Sequence, residues 1–525
     1  MTGSADGRWT PRGNPWLIAC VVALPAFMEI LDTSIANVAL PHMAGNLGVT
    51  NDESTWVLTS YLVSNAIVLP VSGWIAGLFG RRRFFLVCIV LFTLSSVLCG
   101  LASSLGFLIL FRIMQGVGGG GLQPMAQAIL ADTFPPERRG VAFALYGITA
   151  IIGPTVGPTL GGWITDNYSW RWIFFINLPV GAVALWLVAR LVEDPPYLSA
   201  TRHAGLRMDY VGIALLVLGV GALQVMLDKG QQDDWFASHV IVALVITAIV
   251  CLVGLAIWEW FRQDPIIDVH LFRNRNFATA SLMMFMAGVV LFSSLVMLPQ
   301  FLQGLMGYSA TAAGVVLSTS GLVLLLEMPI VGQLTTWIAA RYLVAFGWLL
   351  LAVGMYYTVG HLDLSISSAH AQWLRVAQAG SLGFVFVPIT LAAYTGLPPE
   401  KSNSISGILN FMRNLGSSVG TSMVTTLVAQ RSQVHQVTLS AHATIFDPRF
   451  RSAVRALNRR ISPGGLASSE RARAYAVIYG AIIGQATTLA YMDVFALLAV
   501  LAALMFALSF TLRKNAVGAA PAAVE

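Results

Sequence analysis

Long apolar runs, each closed by a short polar break, make up most of this chain. They number fourteen: 16–40, 55–79, 84–104, 107–131, 140–164, 171–191, 209–228, 238–261, 277–303, 311–336, 342–360, 372–396, 402–429 and 485–511. Each approaches or exceeds the roughly 20 predominantly apolar residues that a helix needs to cross bilayer hydrocarbon. Lipid offers no partner to a backbone N–H or C=O, so such a run must close its own hydrogen bonds as a helix. The pattern predicts an all-α membrane protein with fourteen transmembrane helices. The run from Trp16 is too long for the apolar core of a signal peptide, and no A-x-A site follows it promptly.

The pattern also repeats. Arg112 and Gln115 return as Arg375 and Gln378, and the loop "PPERRG" at 135–140 returns as "PPEKSN" at 398–403, both offset by 263 residues. "GITAIIGPTVG" at 147–157 aligns with "NFMRNLGSSVG" at 410–420 at the same offset. These offsets predict a cytoplasmic tail at 1–15, a six-helix bundle at 16–192 and two extra helices with linkers at 193–275. A second six-helix bundle follows at 276–511, then a tail at 512–525. Parallel halves of this kind are a transporter architecture whose substrate site lies between them near the bilayer midplane.

Composition narrows the class. Of 525 residues, 57% are hydrophobic and 10% charged, and the mean hydropathy is +0.75. Soluble domains carry about a quarter charged residues, so the surface here faces lipid. The net charge of +6 does not imply nucleic acid, because the basic residues sit in short loops. With the N-terminus inside, Arg81–Arg83, Arg138, Arg139, Arg202, Arg207, Arg262, Arg273, Arg275, Arg341, Lys401, Arg513 and Lys514 all fall on the inner side. Both termini are then cytoplasmic. One segment runs against the rule: the long outer loop at 430–484 holds eight arginines, and long loops weigh little in setting orientation. Within it, "FDPRFRSAVRALNRRI" places Phe450, Val454, Leu457 and Ile461 on one face of an amphipathic helix suited to a membrane surface or a partner. Cys20, Cys88, Cys99 and Cys251 lie in apolar runs without metal-ligand spacing and read as packing residues. No metal or cofactor is expected.

Candidate chemistry lies in the charges that the runs retain. Arg112 sits roughly 8 Å inside the outer end of its helix at 1.5 Å per residue, and Asp32 lies at a similar depth in the first helix. Arg112 either snorkels to the surface or pairs with Asp32, directly or through Gln115. Buried ions in membranes are paired or face a water-filled cavity. Glu29 lies three residues before Asp32, so both acids share a helix face. Two neighbouring acids in low dielectric cannot both ionise cheaply, and Arg112 favours the ionised form of the nearer. Glu327, amid "GLVLLLEMPIVG", reads as a proton site, a recognition site for positive charge, or an acid turned to cavity water. Asn37, Gln115, Gln123, Glu327, Gln378 and Asn410 are candidates to line the substrate cavity, with Gln127 and Asn177 along the same polar route.

"GVGGGG" at 116–121 matches a dinucleotide-binding G-x-G-x-x-G, but no strand precedes it, so that reading fails its structural context. These glycines read instead as a surface for close helix contact. In "GITAIIGPTVGPTLGG", Pro154 and Pro158 stand among Gly147, Gly153, Gly157 and Gly161. Prolines interrupt the helical hydrogen bonds while the glycines permit sliding, so this helix is a candidate hinge.

Several stretches resemble one family. "LDTSIANVALP" at 31–41, "GWIAGLFGRRR" at 73–83, "RIMQGVGGG" at 112–120, "GPTVGPTLGG" at 153–162, "DKGQQDDW" at 228–235 and "NFMRNLGSSVG" at 410–420 are similar to motifs of the major facilitator superfamily. The likeness is to its fourteen-helix drug/proton antiporters of the EmrB/QacA type, and it covers nearly the whole chain. The resemblance places the family's first-helix acid at Asp32 and its proton-linked arginine at Arg112. It assigns conformational switching to Gly73, Gly80, Arg81 and Arg82, although Gly77 and Leu78 stand where the superfamily's loop motif usually has an acid and an arginine. The motif's own acid for a charge latch is therefore missing here, though Arg81–Arg83 remain. The resemblance implies proton-coupled efflux of hydrophobic or amphipathic toxic compounds by alternating access, not an enzyme activity. It also implies, in a Gram-negative cell, a periplasmic adaptor of the EmrA type and an outer-membrane channel. A dedicated carrier for one metabolite and a non-transporting receptor or scaffold are the alternatives. No ATP-binding P-loop occurs, which leaves an ion gradient as the expected energy source.

Overall fold

In a computed structural model, residues 11, 13–195, 209–262, 265–441, 443–461 and 468–513 are described. Arg202 and Arg207 of the linker, Lys514 and most of both tails lie outside them. The described chain is helical throughout, with fifteen principal helices. The first eight are α1 (Pro15–Leu47), α2 (Trp56–Phe79), α3 (Arg81–Leu101), α4 (Leu105–Thr133), α5 (Arg139–Asn167), α6 (Trp172–Leu191), α7 (Tyr210–Lys229) and α8 (His239–Phe261). The rest are α9 (Arg275–Gly304), α10 (Ala310–Leu334), α11 (Ala340–His361), α12 (Ser368–Ala393), α13 (Ser402–Ser440), α14 (Pro448–Ile461) and α15 (Ser468–Ser509). Two of these are interrupted: α6 at Ile176, and α12 between Ala379 and Leu382.

Thirteen of the helices among the described residues are long and apolar enough to cross a membrane. The fourteenth expected span, 402–429, is α13, whose face carries Ser402, Asn403, Ser406, Asn410, Asn414, Ser418 and Ser422. Its polarity has a packing reason. α13 lies within the helix assembly, against α9, α15, α2 and α4, and Asn403, Ser406 and Asn410 are buried there.

Helices α1–α6 pack on one another, chiefly α2 on α4, α1 on α5 and α3 on α4. Helices α9–α13 and α15 do the same, chiefly α9 on α13, α11 on α15 and α11 on α12. The two groups meet along α5 against α10 and α2 against α13. The inserted pair α7–α8 stands beside the second seam, with α7 touching both α2 and α13. α8 is the least buried of the spans, and its exposed face carries Ile246, Ile249, Val250, Val253 and Ile257, a stripe suited to lipid.

The glycine run does what close packing requires. A Cβ at Gly116 would lie 2.5 Å from the Tyr61 carbonyl oxygen, and one at Gly120 would lie 2.6 Å from Val68 Cβ, both on α2. A Cβ at Gly118 would lie 2.6 Å from the Phe92 amide on α3. α4 is thereby seated between two neighbours at backbone distance.

The outer loop departs from expectation. α13 continues to Ser440 and α15 begins at Ser468, so the segment expected as a loop at 430–484 is mostly helix. Hydropathy ends a span where charge begins, but a helix does not stop there: its hydrogen bonds continue into water wherever a neighbour supports it. Here Arg431 and His435 of α13 reach Asp493 of α15 at 3.2 and 2.8 Å. The amphipathic segment forms α14 and packs on α15. Val454 is buried, Phe450 and Leu457 are half-buried, and Phe450 stacks on Tyr475 with ring centroids 5.9 Å apart.

Candidate functional site

Two acids on α1 anchor the polar interior of the N-terminal helices. Asp32 is 3% exposed and Glu29 4%. One turn apart on one face, they meet different partners. Asp32 Oδ2 accepts from Arg112 Nη1 at 2.6 Å, while Oδ1 accepts from Gln115 Nε2 at 2.9 Å and Asn177 Nδ2 at 2.7 Å. Arg112 is fully buried. Its Nε donates to the Val57 carbonyl at 3.1 Å and its Nη1 also reaches Gln115 Oε1 at 2.8 Å. Four helices (α1, α4, α6 and α2) thus converge on one ion pair. Snorkelling is excluded for Arg112, because its donors point inward to a carboxylate, an amide and a buried carbonyl.

Glu29 takes only neutral donors. Tyr61 Oη and Asn65 Nδ2 donate to its Oε1 at 3.0 and 3.1 Å, and Gln123 Nε2 donates to its Oε2. Gln123 Oε1 in turn accepts from Tyr146 Oη at 3.1 Å and from Arg413 Nη2 of α13. The charge on Asp32 is matched by direct contact; that on Glu29 touches no cation and meets Arg413 only through an amide. Tyr61 joins the two sites. Its hydroxyl bonds Glu29 while the Arg112 guanidinium lies 4.3 Å from its ring centroid, a favourable cation–π geometry.

The other candidate residues do not gather into one cluster. Gln115 and Gln123 belong to the Asp32 and Glu29 networks. Asn410 bonds Gln127 of α4 at 2.8 Å, across the meeting of the two helix groups. Gln378 bonds Thr358 at 3.0 Å and Arg375 at 3.3 Å. Asn37 is exposed on α1, apart from the acids. Glu327 is half-buried on α10, with both carboxylate oxygens enclosed and facing the backbone at Gly383 and Phe384. It lies beside the backbone of α12, where a Cβ at Gly383 would sit 3.0 Å from its Oε1.

At the arginine-rich end, Arg81 and Arg82 find partners. Gly77 and Leu78 do replace the usual ionic pair, but Arg81 Nη1 reaches Asp132 Oδ2 of α4 at 2.6 Å and the Ala128 carbonyl at 3.3 Å. Asp132 Oδ1 also accepts from Ser402 Oγ, at the start of α13, at 3.2 Å. The acid has been supplied from a different helix. Arg82 ties α3 to α6 through the Ala189 carbonyl and, by its amide, Asp194 at 2.8 Å. Gly80, with φ of 92°, makes the turn between α2 and α3. A Cβ at Gly73 would lie 2.8 Å from Ser404 Cα, so α2 and α13 touch at backbone distance there.

On α5, Gly153, Gly157 and Gly161 lie against Ile30, Ser34 and Ile35 of α1, and Gly147 lies against Met328 of α10. Pro154 and Pro158 are half-buried within an uninterrupted helical assignment. One helix therefore presents small residues both to the acid-bearing helix and to the opposite group.

A model of the Major Facilitator Superfamily matches residues 22–421. The chain belongs to that superfamily. It is 38% identical over 432 residues to the multidrug export protein EmrB of Escherichia coli strain K12, covering 82% of this chain and 84% of the relative. It is 40% identical over 443 residues to the EmrB of Haemophilus influenzae, covering 84% and 86%. Among solved structures, the proton:xylose symporter XylE superposes with a TM-score of 0.57 at 15% identity, over 93% of this chain and 94% of that one, a likeness of fold. The protein is thus a multi-pass membrane protein with a transporter fold.

Tyr61, Asn65, Tyr146 and Arg413, and Asp132 at the arginine-rich end, are the site residues that sequence reasoning passed over. Tyr61, Ser64 and Asn65 fall at helical spacing on α2 and form one polar stripe in an apolar span. That stripe was the available signal.

Proposed function

We propose that this chain is a proton-driven exporter of hydrophobic and amphipathic toxic compounds, seated in the cytoplasmic membrane with both termini in the cytoplasm. The observation that carries the reading is the enclosed Asp32–Arg112 ion pair with Glu29 one turn away. An ion pair inside lipid-embedded helices is costly to hold, and it is a means of coupling a proton to movement. Protonating Asp32 leaves the Arg112 charge without its counter-ion, so the helices that converge on the pair must rearrange. Protonating Glu29 removes a charge that touches no cation and frees Gln123, through which α13 is tied to the acid by Arg413. Proton uptake and cargo binding then compete for one cavity between two helix groups that rock about it. The small-residue face of α5 is the sliding surface, and the Arg81–Asp132–Ser402 chain is the inner latch. Support for multidrug cargo comes from the relatives, both called multidrug export proteins.

The test is a resistance assay in a pump-deficient host. Asp32→Asn and Arg112→Ala should each abolish resistance to several dyes and antibiotics while the protein still inserts. Full resistance in cells carrying Asp32→Asn would remove that acid from the mechanism.

In a two-membrane cell, α14 with the outer ends of α13 and α15 would face the periplasm and an adaptor of the EmrA type that leads to an outer-membrane channel. Cross-linking from residues 445–457 should capture that adaptor; a product formed only with lipid would oppose the assignment.

A further inference from the structure

The internal repeat carries one arginine site into the C-terminal helices without its acid. Arg112 and Arg375 each stand seven residues after the first residue of their helices, Leu105 and Ser368. Each has a glutamine three residues later, and each donates from Nη1 to that glutamine's Oε1, at 2.8 Å for Gln115 and 3.3 Å for Gln378. The first helix of each group supplies the next partner, and here the two differ. α1 offers Asp32, whereas α9 offers the Ser294 hydroxyl, 3.2 Å from Arg375 Nη1. Gln378, spared from bonding an acid, donates instead to Thr358 of α11 at 3.0 Å.

Arg375 is 3% exposed and its Nε is enclosed without a partner. Among the described residues no carboxylate lies within ion-pair distance of it. Glu327 lies against Gly383, and Asp493 is taken by Arg431 and His435. The Asp32–Arg112 pair is neutral overall, and its counterpart carries one uncompensated positive charge that touches a hydroxyl and an amide oxygen. Charges buried in this way are paired or neutralised by a bound ion. A guanidinium with free N–H groups matches the geometry of a carboxylate and binds other monoanions as well.

We propose that Arg375, with Ser294 and Gln378 beside it, forms a monoanion site that takes a carboxylate group of the cargo or a small inorganic anion such as chloride. The cargo source rests on the transport reading above; the inorganic source does not.

The test uses the full-length purified chain and two variants. Melting temperature is followed as dansylglycine, its uncharged amide, or chloride is titrated at ionic strength held constant with bulky gluconate. Export of dansylglycine and of cationic ethidium is measured in energised everted vesicles. Wild-type protein should be stabilised by several degrees by dansylglycine or chloride and not by the amide, since a ligand that binds only the folded state raises its stability. Ser294→Asp supplies the missing charge from within the chain. It should melt at or above wild type in gluconate, lose the anion response, and export dansylglycine roughly tenfold more slowly, about the cost of one lost charge-assisted contact. Ethidium export should persist. Arg375→Gln should also lose the anion response. Stabilisation by chloride alone assigns the site to an inorganic anion, and stabilisation and export of dansylglycine assign it to cargo. A wild-type melting temperature indifferent to both anions would overturn the proposal, as would a Ser294→Asp protein that responds like wild type. If no compound is exported, the transport reading fails, and the melting experiment still decides the anion site.

Discussion

Asp32 and Glu29 are neighbours with different electrostatic surroundings, and the difference makes distinct predictions. Removing one member of the enclosed pair strands the other, a loss of about 3–5 kcal/mol for buried ion pairs. Asp32→Asn or Arg112→Gln alone should therefore lower the melting temperature more than the double substitution does, which a double-mutant thermal cycle checks. Tyr61→Phe keeps the ring beneath Arg112 but deletes the hydroxyl on Glu29. It should shift the pH profile of export while leaving cargo affinity within about twofold, because one hydrogen bond contributes roughly 1 kcal/mol to the network it serves. A profile that superposes on wild type would remove Tyr61 from proton handling. At this scale the Asp32–Arg112 pair was legible, since few charges lie in the apolar runs and buried ions seek partners. The Glu29 partners were not. A serine, tyrosine or asparagine in a membrane helix has two outlets, its own backbone or a neighbouring helix, and α2 uses both. Ser64 Oγ bonds the Ser60 carbonyl at 2.9 Å while Asn65 crosses to Glu29.

Helix identity and order followed from the apolar runs, while helix ends did not. Hydropathy reports where lipid stops, whereas α13 and α15 run on past that depth because they support each other, Arg431 and His435 on Asp493 and Gln436 on Tyr479. The glycine run shows the reverse case, a motif whose literal match pointed to a nucleotide and whose setting in a span pointed to packing. The structure adds which neighbours it packs on. At Gly116 even a methyl group would meet the Tyr61 carbonyl oxygen, so Gly116→Ala should cost about 1–3 kcal/mol, the range for overpacking a close contact. Gly45, around which nothing lies within 4 Å of a built Cβ, is the control. Gly45→Ala should leave the melting temperature within a degree or two of wild type.

For the whole molecule, one set of contacts between the two helix groups lies at the end predicted to be cytoplasmic. Ser402 meets Asp132, Phe143 stacks on Tyr394 at 5.5 Å, and a Cβ at Gly140 would lie 2.9 Å from Thr335 Cβ. Closure at that end makes a simple prediction. Gly140→Cys with Thr335→Cys, in a background free of other cysteines, should form a disulfide on mild oxidation once the two helices part by about 1 Å to reach the roughly 3.8 Å Cβ separation a disulfide needs, and should stop export until reduced; export unaffected by a completed cross-link would contradict the need for this end to open. The repeat offsets imply parallel halves, but they give no sign of the latch. It depends on Asp132, far along the chain from the loop motif whose usual acid is missing. The most direct measurement of the coupling claim is dye efflux from proteoliposomes under an imposed pH gradient, with proton counter-flux recorded together. Wild-type protein should move protons against dye, and Asp32→Asn should bind dye yet move neither up a gradient. Gradient-driven dye export by Asp32→Asn at the wild-type rate would contradict the account.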